Sequence, residues 1–330
     1  MKEVAVIIPA YKAHDTIKQT LMSIAMQKAI DFKCYLVIDG EEKGTYDYLY
    51  DFPDLDLKIL YMENNGGPGV ARQYGIDNSD EPFLSFIDAD DTYLSSLALY
   101  YQHIPFKRIT IEKNTQINGD NLALVSSNFL QEKKDHNVSL RERDMVWMHG
   151  KMYRRAFLEK YNIRFNETRA NEDVGFNTQC QCYANEHEQI YLAQDVTYLW
   201  QWRDNSTVRT DNQSYAYNES VEGYVQNKIY AFKSVLEQQD IDDPVRYFIM
   251  RGFAHLFKKY LLAMLQAPKQ LRHIKKWARV YYTTLYPLID EEYIKKAEPT
   301  ILAQSGFTQP EHMDELQKFK ELITKPKRSK

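Results

Sequence analysis

Phe83-Leu84-Ser85-Phe86-Ile87-Asp88-Ala89-Asp90-Asp91 is the stretch from which the fold can be read. Its apolar first half reads as a buried strand, and three carboxylates stand at its C-terminal end. Open α/β sheets bind ligands beyond the carboxyl ends of their strands, so acids delivered there face a crevice. If the chain stays extended, Asp88 and Asp90 point to one side, because side chains alternate with period two. Two hard oxygen ligands on one side suit a magnesium- or manganese-type cation. The competing reading is an Asp-rich turn that caps a helix beginning near Ser95.

Working outward, strand and helix alternate repeatedly. Val4–Pro9 is an apolar strand ending in Pro9-Ala10-Tyr11, followed by a helix that Asp15 can cap, with Ile17, Leu21, Ile24 and Ala25 on one face. Cys34–Ile38 ends in Asp39-Gly40, with a short helix expected around Tyr46–Tyr50. Lys58–Met62 ends in Glu63-Asn64-Asn65-Gly66-Gly67-Pro68-Gly69, and a helix carrying Val70, Ala71, Tyr74 and Ile76 leads back to Phe83. This alternation predicts a wound α/β sheet, and a parallel sheet would bring all four strand ends to one edge.

Further on, residues 104–120 read as a polar connection. Leu122–Phe129 and Met145–Met148 are expected strands, Arg154–Tyr161 a helix, Asn171 the cap of a helix through about Tyr183, and Ile190–Ala193 and Val196–Trp202 short strands. From about Tyr215 the pattern turns helical, punctuated by Pro244, Pro268, Pro287, Pro299 and Pro310. The expected division is a catalytic-type domain over 1–210 (halves 1–103 and 104–210) and a helical extension over 211–330.

The chain has 330 residues, 44% hydrophobic and 27% charged, which is enough for a substantial core. Its net charge of −4 gives no global attraction to nucleic acid or anionic lipid. Cys34, Cys180 and Cys182 form neither a disulfide framework nor a zinc spacing, as in a reducing compartment. With no signal segment or apolar span visible, the expectation is a cytoplasmic protein, peripheral to a membrane at most. Gly67-Pro68-Gly69-Val70-Ala71-Arg72 only superficially imitates a dinucleotide-binding turn. It follows the third strand, and Arg72 replaces the third glycine.

From Val4 to Trp202 the chain resembles the family 2 glycosyltransferases, nucleotide-sugar enzymes of GT-A fold. The resemblance rests on Val6-Ile7-Ile8-Pro9-Ala10-Tyr11, Asp39-Gly40, Asn65-Gly66-Gly67 with Ala71-Arg72 and Gly75, and Phe86-Ile87-Asp88-Ala89-Asp90-Asp91. His149-Gly150-Lys151-Met152-Tyr153-Arg154-Arg155 and Asn171-Glu172-Asp173 complete it. It implies a metal-dependent inverting transfer from a nucleotide diphosphate sugar, with a UDP-sugar as first choice and Mn2+ or Mg2+ as the ion.

By the same resemblance, Pro9, Ala10 and Tyr11 would wall the base and Asp39 would accept a hydrogen bond from it. Asn65, Gly67 and Ala89 would border the donor, and Arg72 would contact base or phosphate. Asp88 would hold ribose or base, and Asp90, with His149 as a candidate third ligand, would bind the metal. Asp173 would be the general base, with Glu172 beside it on the acceptor or a metal-bound water. Ile38, Glu41 and Lys12 depart from the family pattern near the donor base. From the residues alone, Asn171, Glu172 and Asp173 equally describe a capped, dipole-complementing helix start. Arg154 and Arg155 would reach the diphosphate or begin a solvated helix, and Trp200-Gln201-Trp202-Arg203 reads as an aromatic wall or as core.

The implied acceptor is a glycan or other polymer. A hydroxylated base in DNA and a non-catalytic glycan- or nucleotide-binding module are the alternatives. Basic residues interleaved with aromatics over 255–282, Lys258 to Arg279 among them, suit a membrane surface, a polyanion or nucleic acid, or simply a solvated helix face.

Overall fold

The computed structural model describes residues 4–27, 31–94, 109–111, 115–117, 122–132, 137–140, 146–184, 189–203 and 216–325. It divides into two compact units, one up to Arg203 and one from Asp204 onward.

The first unit is built on β1 (Val4–Ala10), β2 (Phe32–Asp39), β3 (Leu57–Met62) and β4 (Phe83–Phe86), with α1 (Ile17–Ala25) and α2 (Pro68–Asp77) as crossovers. β1 pairs in parallel with both β2 and β4, and β2 with β3. Covered on both faces, β1 and β2 are nearly continuous apolar runs, as central parallel strands must be. All four strands therefore end on one edge, as the alternation predicted. α1 turns Ile17, Leu21 and Ile24 into the core, but Thr16 rather than Asp15 holds its N-cap position, with no side-chain capping bond. The helix expected around Tyr46–Tyr50 is only a 3-10 turn over Asp47–Leu49.

The sheet continues through β5 (Thr92–Tyr93), β8 (Leu122–Glu132), β9 (Asn137–Leu140), β10 (Lys151–Arg154) and β11 (Gln189–Trp200), while β6 (Ile109–Ile111) and β7 (Thr115–Ile117) form a separate hairpin inside the segment expected as a connection. The order is β3-β2-β1-β4-β10-β8-β11-β5, with β9 on β8. β10 runs antiparallel to β4 and β8, and β11 parallel to β8. The path ends on β5, yet the Tyr93 hydroxyl lies 2.8 Å from Ser85 Oγ of β4, so the sheet curls back on itself. Ser23 and Thr20 of α1 bond Tyr93 N–H and the Asp91 carbonyl, fastening that return.

Several expectations are corrected. Residues 146–148 are irregular, and the strand begins at Lys151. The two short strands expected after residue 189 are one, β11, with register shifts between Leu192 and Val196 and again before Tyr198. The helix expected near Ser95 and the boundary expected near 205–215 lie outside the described residues. Helices α3 (Arg155–Lys160) and α4 (Glu172–Tyr183) stand near their expected positions.

In the second unit, α5 (Glu219–Leu236), α6 (Asp243–Gln266), α7 (Leu271–Leu285), α8 (Glu291–Gln304) and α9 (Glu311–Thr324) pack around Phe253, Phe257, Tyr281 and Phe319. Asp242 and Asp290 cap α6 and α8 through Val245 N–H and Tyr293 N–H. Of the five prolines, Pro299 lies inside α8 instead of punctuating it. None of the described helices is long and apolar enough to cross a membrane.

Gly75 sets the distance between α2 and the sheet, because a Cβ there would sit 2.4 Å from Ile7 Cγ2. Gly75→Ala should destabilise the first unit by about 1–3 kcal/mol through overpacking, read as a lowered midpoint in denaturant. An unchanged midpoint would mean that the helix shifts outward at no cost.

Candidate active site

Three strand ends and one helix start build the site. Asp39, at the end of β2, is buried and accepts Gly66 N–H on Oδ1 at 2.7 Å and Gly67 N–H on Oδ2 at 2.9 Å. Asn65 Nδ2 donates to the Asp39 carbonyl at 3.0 Å. The carboxylate expected to meet a base thus braces the glycine turn from which α2 starts. Gly67, at φ +87°, occupies the N-cap position, and Pro68 opens the helix. Gly40 sits so close to Asn65 N that a Cβ would lie at 2.3 Å.

At the β1 end, Ala10 is buried and Tyr11 half-exposed, with Pro9 between these extents. Glu41, a departure noted in the sequence, takes Lys12 N–H at 2.7 Å and the Tyr46 hydroxyl at 3.0 Å on one oxygen. His14 stacks on Tyr46 at 4.2 Å. Glu41 therefore fixes the turn after β1, where Lys12 adopts φ +52°.

Beyond β4 the chain does not stay extended. Asp91 N–H donates to the Asp88 carbonyl at 3.0 Å, closing a turn over Asp88-Ala89-Asp90-Asp91 with Ala89 buried inside it. The turn brings its first and fourth residues together, so period two is the wrong rule here. Ligand atoms of Asp88, Asp91 and His149 lie within 4.8 Å of one another. Asp90 points elsewhere and pairs with Arg203 at 2.9 Å. Tyr198 of β11 holds the turn, accepting from Asp88 N–H at 3.3 Å and donating to Asp91 Oδ2 at 2.6 Å, while Gln201 N–H bonds Asp91 Oδ1 at 2.8 Å.

Arg72 joins this turn to α4. Its Nη2 lies 2.6 Å from Asp88 Oδ1 and its Nη1 2.6 Å from Glu172 Oε1, all but out of solvent. The buried Nε has no hydrogen-bond partner. Glu172 is likewise buried and faces Arg72. Asp173 is the next residue, half-buried in the first turn of α4, and its Oδ1 accepts Val174 N–H at 2.8 Å. Asn171 holds the N-cap position of α4 as expected, in the left-handed region at φ +57° and without a side-chain cap bond. Arg155 is committed to Glu81 O, Ser79 Oγ and Ile76 O, and so does not reach the site.

The electrostatics follow from burial and crowding. Burial opposes charge on Asp88, but Arg72 and then His149 hold its carboxyl below the usual range. Burial, then the Asp88 charge, pushes Asp90 up against the pull of Arg203. Asp91 is pushed well up by burial and by Asp88 and Asp90. Burial pushes His149 down to about 4, so its imidazole is neutral with a lone pair available. Arg72 is pushed further up, because Asp88 and Glu172 outweigh its own burial. Crowded carboxylates and a neutral imidazole are a fitting donor set for a divalent cation, whose charge would relieve the Asp88–Asp91 repulsion.

The residues that the sequence reading missed as site members are Asp91, Tyr198 and Arg203. Asp91 was visible in the quoted stretch, and the turn-forming composition of Asp-Ala-Asp-Asp was the signal that could have found it. Arg203 and Tyr198 carried no local signal. Trp200 packs over His149 at 5.3 Å and is part of the wall behind it.

A wound half-sheet that curls into a mixed half, with an acidic turn beyond β4, is the GT-A fold. The profile of glycosyl transferase family 2 matches residues 5–165. The chain is 24% identical over 204 residues to a teichoic acid poly(glycerol phosphate) polymerase of Staphylococcus epidermidis, covering 58% of this chain and 28% of that protein. It is 25% identical over 268 residues to the poly(ribitol-phosphate) beta-N-acetylglucosaminyltransferase TarS of Staphylococcus aureus, covering 77% of this chain and 45% of that one. The chain thus spans less than half the length of either relative. The crystal structure of S. aureus TarS 1-349 in complex with UDP-GlcNAc matches in fold with a TM-score of 0.63 at 16% identity, covering 97% of this chain and 90% of that one.

Two outcomes are expected from this geometry. Arg72→Met should cost about 2–3 kcal/mol of stability, chiefly by stranding buried Glu172, since the partly exposed Asp88 carboxylate can be taken up by water; measured by chemical denaturation, a loss below 1 kcal/mol would mean that water replaces the guanidinium at both acids. His149 binds a proton only near pH 4 when folded, against 6.5 for the ordinary group. The unfolded chain therefore holds more protons between those values, and stability falls as pH drops through that window. With metal removed by chelation, wild type should lose about 3 kcal/mol more than His149→Asn over that range.

Proposed function

We propose that this chain is a metal-dependent inverting glycosyltransferase that moves a sugar from a UDP-sugar to a hydroxyl of a glycan or polyol-phosphate polymer. The convergence of Asp88, Asp91 and His149 on one point at the end of β4 carries this reading. The names of the teichoic acid polymerase and of TarS, and the UDP-GlcNAc bound to TarS, support the donor and acceptor classes. No observation favours a hydroxylated DNA base or a purely binding role. The first unit is assigned the donor chemistry and the helices from α5 on are an extension. A cytoplasmic location fits the nucleotide-sugar donor.

Pro9, Ala10 and Tyr11 would flank the base, on a turn fixed by Glu41 and Tyr46. Asp39, Asn65 and Gly67 would shape the donor side indirectly, through the glycine turn. Asp88, Asp91 and His149 would hold Mn2+ or Mg2+, with Asp90 and Arg203 beside them. When bound, the ion supplies charge against the departing diphosphate. Asp173 would accept the acceptor hydroxyl proton as that oxygen bonds to the anomeric carbon and the carbon–oxygen bond to the diphosphate breaks. One base opposite the leaving group gives a single displacement with inversion. Glu172 would act through Arg72, holding Asp173 in register with the metal-binding turn.

Asp173→Asn should lower kcat by about 10²–10⁴-fold, measured as UDP release, while leaving the manganese-dependent thermal shift with UDP intact. Asp91→Asn should abolish that shift. Turnover by Asp173→Asn near the wild-type rate would remove the base assignment, and a UDP shift indifferent to metal and to Asp91 would sink the donor-site reading.

A further inference from the structure

Between Asp243 and Asp290 the sequence holds nine Lys and Arg and no Asp or Glu, in a chain whose net charge is −4. The transferase reading makes no use of this segregation. It spans α6, the 3-10 turn Pro268–Gln270, and α7. Four of these cations are tied into the fold. Arg246 pairs with Asp243 at 2.8 Å and Arg251 donates to the Tyr247 hydroxyl. Lys259 reaches the Ala216 carbonyl, and Arg279 bonds the Ile323 and Lys325 carbonyls at the end of α9. Lys258, Lys269, Arg272 and Lys276 are exposed and form no ion pair among the described residues.

The same corner carries an apolar tip. Leu265 is 84% exposed, the largest value of any bulky apolar residue among those described, and Met264 beside it is 44% exposed. Lys258, Leu261, Leu262 and Leu265 recur at the spacing of one helix face. Exposed Pro268 follows, and Lys269 of the 3-10 turn continues at the same spacing into Arg272 and Lys276 of α7. α7 buries Ile274, Ala278, Tyr281 and Leu285 on its opposite side, so its basic face is oriented outward by the core. A solvated helix face accounts for the cations. It does not account for a leucine and a methionine held out at the end of α6 with cations on both sides.

We infer that the α6–α7 corner docks this protein on an anionic lipid surface, with Leu265 and Met264 entering the headgroup region and Lys258, Lys269, Arg272 and Lys276 meeting lipid phosphates. Apolar tip and basic ring complement the two layers of such a surface, acyl boundary beneath and negative charge above. A soluble polyanion would engage the cations but leave the tip in water. A second copy of the chain would have to lay like charge on like charge. The inference is independent of the donor site, since it uses the second unit alone.

The test is co-sedimentation of the full chain with vesicles of phosphatidylcholine, with and without phosphatidylglycerol. Binding is expected only with phosphatidylglycerol and should weaken as salt rises. Lys269→Gln, Arg272→Gln and Lys276→Gln together should lower partitioning on the order of a hundredfold at low salt, roughly fivefold per cation. Leu265→Glu, an exposed site that the core does not need, should lower it at least tenfold, while circular dichroism and the UDP thermal shift stay as in wild type. Absence of binding, equal binding to neutral vesicles, or binding indifferent to both sets of substitutions would overturn the inference. A concentration-dependent dimer lost in Leu265→Glu would assign the corner to a second copy and overturn it as well. Retention on poly(glycerol phosphate) but not on vesicles would assign it to a polymer, with the same consequence.

Discussion

One buried guanidinium organises the first unit. Arg72 stands in α2, yet its two terminal nitrogens hold Asp88, beyond β4, and Glu172, at the start of α4. These are distant in sequence and would repel one another without it. A positive charge out of water is tolerated only when paired, and two carboxylates pair it here, each at 2.6 Å. The acidic turn and the helix bearing Asp173 are consequently fixed relative to each other by one side chain. Arg72 reaches this point because the Asp39 carboxylate braces the glycine turn, Gly67 starts α2, and Gly69 and Gly75 let that helix lie close to Glu172 and to Ile7.

The curl of the sheet is the second constraint. Tyr198 arrives on β11, at the far end of the strand order, yet bonds both ends of the Asp88–Asp91 turn. The irregular register between Leu192 and Tyr198 lies just before it. Bulges of this kind increase local twist and re-aim side chains. With Arg72 on one side and Tyr198, Gln201 and Arg203 on the other, each acid of the turn has a dedicated partner. Acid crowding is thereby kept without disordering the turn, and burial, together with the neighbouring carboxylates, raises Asp90 and Asp91.

The second unit obeys a different logic, in which burial sorts charge. Its core is aromatic, and a deeply placed ion pair, Lys320 with Glu298 at 2.6 Å, bridges α9 and α8. Along α7 the amphipathic pattern turns Arg272 and Lys276 outward, opposite Ile274, Ala278, Tyr281 and Leu285. Nothing in that packing demands an exposed Leu265, which is why the corner reads as a surface selected for contact and not for stability.

The sequence by itself determined the wound half of the sheet, because apolar runs alternating with helical periods admit few other topologies. It also offered Asp88, His149 and Asp173 as candidates from order and motif, and the fold brings the first two together at the acidic turn. What only the tertiary structure decided was how they act together. Period two predicted an Asp88 and Asp90 pair, but a hydrogen-bonded turn put Asp91 beside Asp88 and sent Asp90 to Arg203. Asp39 and Glu172 are also braces, one for backbone amides and one for a guanidinium, which no local pattern signals. A side chain's neighbours across the fold lie outside any local window. The same carboxylate can be ligand, brace or counter-ion, and long-range packing alone selects which.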